Sequence, residues 1–202
     1  MTLANPVSTA VSAPNASGAI LDAAIDRLAE SSPSGMTINE ICKRVGVRPP
    51  AIYYHFGSKE GLVSAAVETA GNAWLEALRA QLPAGGTFEE TLVAALDGWQ
   101  ALIESPRRPI KLLLSVQLES AESSPEIRAA LQRVYDHARE IIRLGIETST
   151  GQTKNLDGIA ETALGLVQAA AIHFHLDGDR TALRARLEEL GRTLSLLVEQ
   201  TS

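Results

Sequence analysis

Twenty residues, Thr37 to Phe56, constrain this chain more tightly than any other stretch of it. Thr37-Ile38-Asn39-Glu40 has the form of a capping box, in which a Thr hydroxyl and a Glu carboxylate three residues on satisfy free backbone N–H groups reciprocally and start a helix. Ile38, Ile41, Cys42 and Val45 then follow the i, i+3, i+4, i+7 rule of a single apolar stripe. Gly46 ends that helix after barely nine residues. A proline in the first turn forfeits no intrahelical hydrogen bond, so a further short helix starts near Pro49 and runs to about Phe56. Upstream, Ile20, Leu21, Ala24, Ile25 and Leu28 recur at helical spacing from Ser17 to Glu30, and the Ser31-Ser32-Pro33-Ser34-Gly35 cluster stops that helix. Three helices, with the four-residue turn Gly46-Val47-Arg48-Pro49 between the last two, define a helix-turn-helix.

The rest of the chain is helical in pattern too. Gly57 and Ser58 precede a long fourth helix, Lys59 to about Gln81, and Thr87-Phe88-Glu89-Glu90 is a second capping box. Ser105-Pro106 and Ser124-Pro125 each pair a cap residue with a proline at the first helical position. These signals predict helices at about 88–104, 107–121, 125–149, 156–176 and 180–199. Only 4% of residues are aromatic, and Ala, Leu, Ile, Glu and Arg recur throughout, which favours helices over strands. The expected fold is all-α: a small domain over residues 17–62, a larger helical one over 63–202, and a disordered tail over 1–16 that is rich in Ser, Ala, Pro and Asn.

On a helical wheel centred on Ile52, Pro49, Ile52 and Phe56 cluster on one side and should face the first two helices. Pro50, Ala51 and Tyr54 point away, with Tyr53 and His55 at the flanks, which leaves a face free to enter a groove of nucleic acid. The net charge of −6 is an unhelpful sign for that role, but its distribution matters more. Residues 1–62 hold five basic and five acidic side chains, which cancel; the remainder holds 13 basic and 19 acidic, the whole of the excess. This suits local phosphate clamps and not a broad basic surface.

The stretch TINEICKRVGVRPPAIYYHFGSKEGL resembles the DNA-binding signature of the TetR family of repressors. The likeness covers the small-Gly-hydrophobic turn, the Ile-Tyr-Tyr-His-Phe recognition helix and the Gly-Ser-Lys-Glu-Gly-Leu lead into helix four. It implies that Thr37 and Asn39 lie near a phosphate, that Arg48, Pro50, Ala51 and Tyr54 enter the major groove, and that Tyr53, His55 and Lys59 grip the backbone. Physically, a Tyr hydroxyl or an ammonium positions a helix without reading sequence, whereas base edges are read by groove-facing side chains. Two positions depart from the family pattern. Ala51 stands where Ser or Thr is common, offering a methyl to a thymine methyl. Asn15-Ala16-Ser17 stands where Arg or Lys often precedes helix one, implying fewer phosphate contacts and a shallower salt dependence. Other readings stay open: Tyr53 as a core aromatic, Lys43 and Arg44 as solvated charges, His55 as a cap near a helix end.

The resemblance further implies a homodimer on a near-palindromic operator and a cavity for a small-molecule effector among helices four to eight. Trp74, Trp99, Gln117, Tyr135, Gln168 and His173 are the candidate lining groups, aromatic or polar residues within largely apolar helices. No charged anchor stands out among them, which favours a neutral, apolar effector. In the last helix Leu183, Leu187, Leu190, Leu194 and Leu197 are spaced 4, 3, 4 and 3, an a/d seam. The helix before it carries Ala160, Ala163, Gly165, Ala169, Ala170 and Ala171, which permit close approach. Together the two suit half of an intersubunit four-helix bundle, with ordinary packing inside one chain as the alternative.

Several classes are disfavoured. The single cysteine, Cys42, excludes an intrachain disulfide and sits at an apolar helix position. His173 and His175, at i and i+2, point about 200° apart on a helix and cannot share a metal ion. There is no glycine-rich phosphate loop, nucleophile elbow or His-Glu-x-x-His pattern, so neither catalysis nor a cofactor is expected. The first sixteen residues lack the basic start and apolar run of a signal peptide, and no segment approaches about 18 consecutive apolar residues, so a cytoplasmic protein is expected. The competing reading is a helical interaction module whose helix-turn-helix is purely structural.

Overall fold

The computed structural model describes residues 13–31, 33–105, 109–120 and 124–201, and among these every regular element is a helix. In chain order they are α1 (Ala13–Glu30), α2 (Ile38–Val45), α3 (Pro49–Phe56), α4 (Lys59–Arg79), α5 (Phe88–Glu104), α6 (Pro109–Ser120), α7 (Pro125–Thr150), α8 (Leu156–Asp177) and α9 (Arg180–Thr201). The first three form a compact head, and α4 runs from that head into a bundle made of the rest.

The local signals act as the sequence suggests. Thr37 Oγ1 accepts the Glu40 N–H at 3.2 Å while Glu40 Oε2 accepts the Thr37 N–H at 3.1 Å. Gly46 closes α2 in the left-handed region at φ 77°, its N–H donating to Cys42 O. Ser58 caps α4 by accepting the Gly61 N–H at 2.8 Å, and the second capping box at Thr87 starts α5. α7 and α8 each run one residue past their expected ends and α9 two, and three other boundaries differ. α1 begins at Ala13 and already buries Ala16, so the last four residues of the expected tail are helical; residues 1–12 lie outside the described residues. α4 stops at Arg79, two residues short of Gln81. α6 is described from Pro109 to Ser120, and the flanks of the expected 107–121 helix lie outside the described residues.

Ile20, Leu28, Met36, Ile41 and Ile52 have essentially no exposed surface and fill the head. At about 1.5–3 kcal/mol for each large aliphatic side chain removed from water, these few residues hold together three helices too short to persist alone. Leu62, Val63, Ala66 and Val67 of α4 are equally buried, so the rod leaving the head is packed on both sides of the joint, against α1 and α3 and then α7.

The leucine stripe of α9 requires a correction. Leu183 and Leu187 are fully buried, and Leu190 and Leu194 nearly so, within the protomer itself. α9 lies against α5 and α8, close enough that a Cβ on Gly191 would meet Leu96 Cδ1 at 2.9 Å. A 4-3-4-3 spacing identifies a stripe that must be covered but not what covers it, and here the chain's own helices do. What remains outward is a different strip, on α8: Gly165, Leu166, Ala169, Ile172 and Leu176 are all exposed and recur at helical spacing, with Leu196 exposed on α9. The opposite face of α8, Ala160, Ala163, Ala170 and Ala171, is buried. Among the described helices, α8 alone has the length and mean hydropathy, 1.2, of a membrane-crossing segment, yet it carries Glu161 and packs on α7 and α9.

Candidate nucleic-acid interface and interior cavities

α3 is held by its inner face and presents its outer one. Ile52 is wholly buried, whereas Tyr54, two residues on, is 85% exposed and Tyr53 50%. An apolar-ringed residue left that far out of a domain with core to spare is the unusual observation here. Tyr53 is therefore not a core aromatic. The Tyr54 and His55 rings meet edge to face with centroids 5.1 Å apart, which pairs them along the outer ridge. His55 is exposed and does not cap the helix; Gly57, at φ 75°, does so through its N–H to Tyr53 O. Arg48 and Pro50 are exposed at the start of α3, Ala51 is half-buried, and Thr37 and Asn39 are exposed at the start of α2. The nine residues proposed for DNA contact thus fall on α2 and α3, their N-caps Thr37 and Arg48, and the first residue of α4.

Charge is sorted within the head. Arg44 pairs with Glu30 at 3.3 Å, and Arg27 with Glu40 at 3.6 Å, while Arg27 Nη2 also donates to Gly35 O. Arg48 and Lys59 have no acidic partner among the described residues. The two cations flanking α3, like the exposed Lys43 on α2, are thus available to an outside anion, while Arg27 and Arg44 brace the helices to each other.

Why α3 and α4 meet at such a tight angle is written in two glycines. Gly57 takes a positive φ that a side chain would resist. Gly61 faces the end of α3 so closely that a Cβ there would lie 2.1 Å from Phe56 O.

Inside the bundle, two narrow chambers lie on either side of one indole. The first, about 30 Å³, is enclosed by α4, α5, α6, α7 and α8, and its lining includes Trp74, Trp99, Tyr135 and Gln168. Gln117 is exposed and sits behind Tyr135, whose hydroxyl donates to Gln117 Oε1 at 2.5 Å. Burial pushes the Tyr135 phenol up to about 12, so it remains a neutral donor throughout the physiological range. His173 does not belong to this lining: five residues beyond Gln168 it is about 140° further round α8 and exposed. The second chamber, about 60 Å³, lies between α4, α5, α7, α8 and α9 and is walled by aliphatic groups together with Phe88, Thr91 and Trp99. Sequence reasoning missed it, because it searched for polar residues among apolar ones and this chamber offers only Thr91. Among the described residues no group of three or more His, Cys, Asp or Glu side chains is placed to hold a metal ion.

Two helices connect chamber and head. α4 contributes Gly71, Trp74 and Leu75 to the first chamber and Lys59 to the head's outer surface. α6 contributes Ile110, Leu113 and Leu114, and at its far end Glu119 accepts the Ser34 N–H in the α1–α2 turn at 2.9 Å. Along the outer side of α4, Glu68 pairs with Arg133, and His137 lies 2.9 Å from Asn72 Oδ1 and 3.0 Å from Glu76 Oε1, tying the rod to α7.

Residues 20–66 match the sequence profile of bacterial regulatory proteins of the tetR family. The chain is 27% identical over 121 residues to the HTH-type transcriptional regulator BetI of Rhizobium meliloti, covering 60% of this chain and 51% of that one. The chain spans about half the length of the first curated relatives it matches. Its fold is similar to a TetR transcriptional regulator from Chloroflexus aurantiacus, with a TM-score of 0.77 at 23% identity over 91% of this chain and 96% of that one. It is also similar to one from Legionella pneumophila, with a TM-score of 0.75 at 17% identity over 96% and 99%. The family profile covers the head and the start of α4, and the likeness in fold extends over more than nine-tenths of the chain.

Proposed function

Since the chain belongs to the tetR family of bacterial regulatory proteins, we propose that it is a homodimeric transcriptional repressor, released from a near-palindromic operator by a small, largely apolar effector. The observation that carries this reading is the outward face of α3. Tyr54 is almost fully exposed beside a fully buried Ile52, with Arg48 and Lys59, which have no acidic partner among the described residues, at either end of the helix. In the major groove, Arg48, Pro50, Ala51 and Tyr54 would face base edges, and Tyr53, His55, Lys59, Thr37 and Asn39 would hold phosphates on the flanks.

One such head offers too small a contact for selective binding, and a twofold axis would supply the second. The exposed strip Leu166, Ala169, Ile172 and Leu176, where small residues allow close approach between larger ones, supports α8 as the centre of that dimer contact. It replaces the leucine stripe of α9, which is already covered. Release by an effector requires that the core hold it more tightly in the state whose heads cannot both reach DNA; equal affinity for both states would shift nothing. α4 and α6 line the first chamber and also touch the head, so an effector that widened the chamber would move both at once.

The test is selection of duplex fragments from the source genome at two salt concentrations, with a Tyr54→Ala/Lys59→Ala variant alongside. Enrichment of a near-palindrome by the natural chain alone is the expected result. Recovery of the same unenriched pool by both proteins would refute it and favour a purely structural helix-turn-helix.

A further inference from the structure

The second chamber and the wall it shares with the first say what shape of effector fits. Trp99 and Val167 line both chambers, so the two lie end to end with an indole between them. Among the described residues no hydrogen bond holds the Trp99 indole N–H. No carboxylate, ammonium or guanidinium lines either space. Tyr135 gives its hydroxyl to Gln117 outside the first chamber, and both chambers present almost wholly apolar walls, the far one aliphatic apart from Phe88, Thr91 and Trp99. Small voids with apolar walls stay dry, so a guest entering the far one displaces no bound water and gains contacts that are otherwise missing.

We propose that the effector is an unbranched, uncharged molecule whose alkyl chain passes Trp99 from the first chamber into the second. Trp99 is then a movable partition. A thin chain needs only that one ring to shift, whereas a branched or fused-ring guest must push apart α5 and α7, which pack against each other. This rests on the reading that the core receives the effector, and adds its shape and lack of charge.

Gly145 provides the means to test it. It lies on α7 at the wall of the second chamber, and a Cβ there would meet only Thr91 Cγ2 at 3.7 Å and Leu82 Cδ1 at 3.9 Å, ordinary contacts. Gly145→Leu therefore grows a side chain into the far chamber and leaves the first chamber and Trp99 in place; Ala95→Phe fills it from α5, opposite. The experiment titrates the full chain with n-alkanols from hexanol to dodecanol, reading the emission of Trp74 and Trp99, the two tryptophans of the chain.

For the natural chain, affinity should rise about 4-fold per added methylene through the whole series. Both filled variants should follow it for the short alcohols and then level off, leaving dodecanol at least about 16-fold weaker than with the natural chain, the loss of two or more buried methylenes. Gly145→Ala, which barely intrudes, should keep the full series. The proposal is overturned if the filled variants rise in parallel with the natural chain, if the natural chain levels off where they do, or if it binds no alkanol saturably. Binding of each preparation to the selected duplex is measured in parallel. Intact DNA binding without alkanol binding defeats this inference alone, whereas a natural chain that selects no duplex defeats the functional reading from which it starts.

Discussion

Gly61→Ala should destabilise the protein even though it replaces the poorest ordinary helix former with the best. In an open helix that exchange gains about 1 kcal/mol, and less in a first turn. At position 61 the new methyl carbon would lie 2.1 Å from Phe56 O, 3.3 Å from Phe56 C and 3.4 Å from Ser58 Oγ. A carbon and a carbonyl oxygen rest at about 3.3 Å or more, so the overlap is on the order of 1 Å. The obstructing atom is backbone, so no rotamer change relieves it. The end of α3 must move relative to α4, and overpacking of this kind costs about 1–3 kcal/mol. After the helix gain is subtracted, a net loss of about 1–2 kcal/mol remains. Gly145→Ala is the matched control, because its methyl lands at 3.7 Å from its nearest neighbour and should realise the full helix gain. Urea unfolding at unchanged m is the assay, with melting temperatures shifting in opposite directions by about 2–4 °C per kcal/mol for a chain of this size. A Gly61→Ala protein as stable as the Gly145→Ala protein would refute the argument from close approach.

Lys59→Ala should weaken binding to all duplexes about equally and reduce the salt slope by about 0.9 per head, because one phosphate contact per head is removed; fluorescence anisotropy over a salt series reads it. Ile172→Glu on the outward strip of α8 should yield a folded monomer by light scattering, whereas Leu187→Ala, in the protomer core, should cost about 2–5 kcal/mol of stability. The backbone N–H groups of Thr37 and Thr87 hold the carboxyls of Glu40 and Glu90 below their ordinary value of 4.5. Their contribution is therefore present above that value and lost as pH falls through the lower folded one. Melting temperature should drop more steeply below about pH 4.5 in the natural chain than in a Glu40→Gln/Glu90→Gln variant.

What could be read from the sequence were the interactions whose partners lie within one helical turn. The capping boxes at Thr37 and Thr87, the stop at Gly46 and the start at Pro49 depend on nothing further away, and the inner and outer faces of α3 follow from a periodicity anchored on Ile52. Trp74, Trp99, Tyr135 and Gln168 converge from four helices because an aromatic or polar residue on an apolar face has few places to go in a packed bundle. His173 met the same criterion and points outward; a difference of five residues along α8 decides between the two, and composition does not register it. The leucines of α9 and the Glu119–Ser34 contact were beyond reach for a shared reason. Each depends on which surface is brought opposite, a property of the packed chain and not of any segment.

That leucine stripe has a consequence for how the molecule is made. With α9 already satisfied by its own α5 and α8, the core that runs from Ile20 to Val198 closes within one protomer and needs no second copy. If the chain pairs as proposed, folding and pairing are then separate events, the first set by sequence and the second by copy number. A single chain would persist folded at low abundance, partners could exchange without unfolding, and occupancy of the proposed twofold site would follow the protein's own concentration.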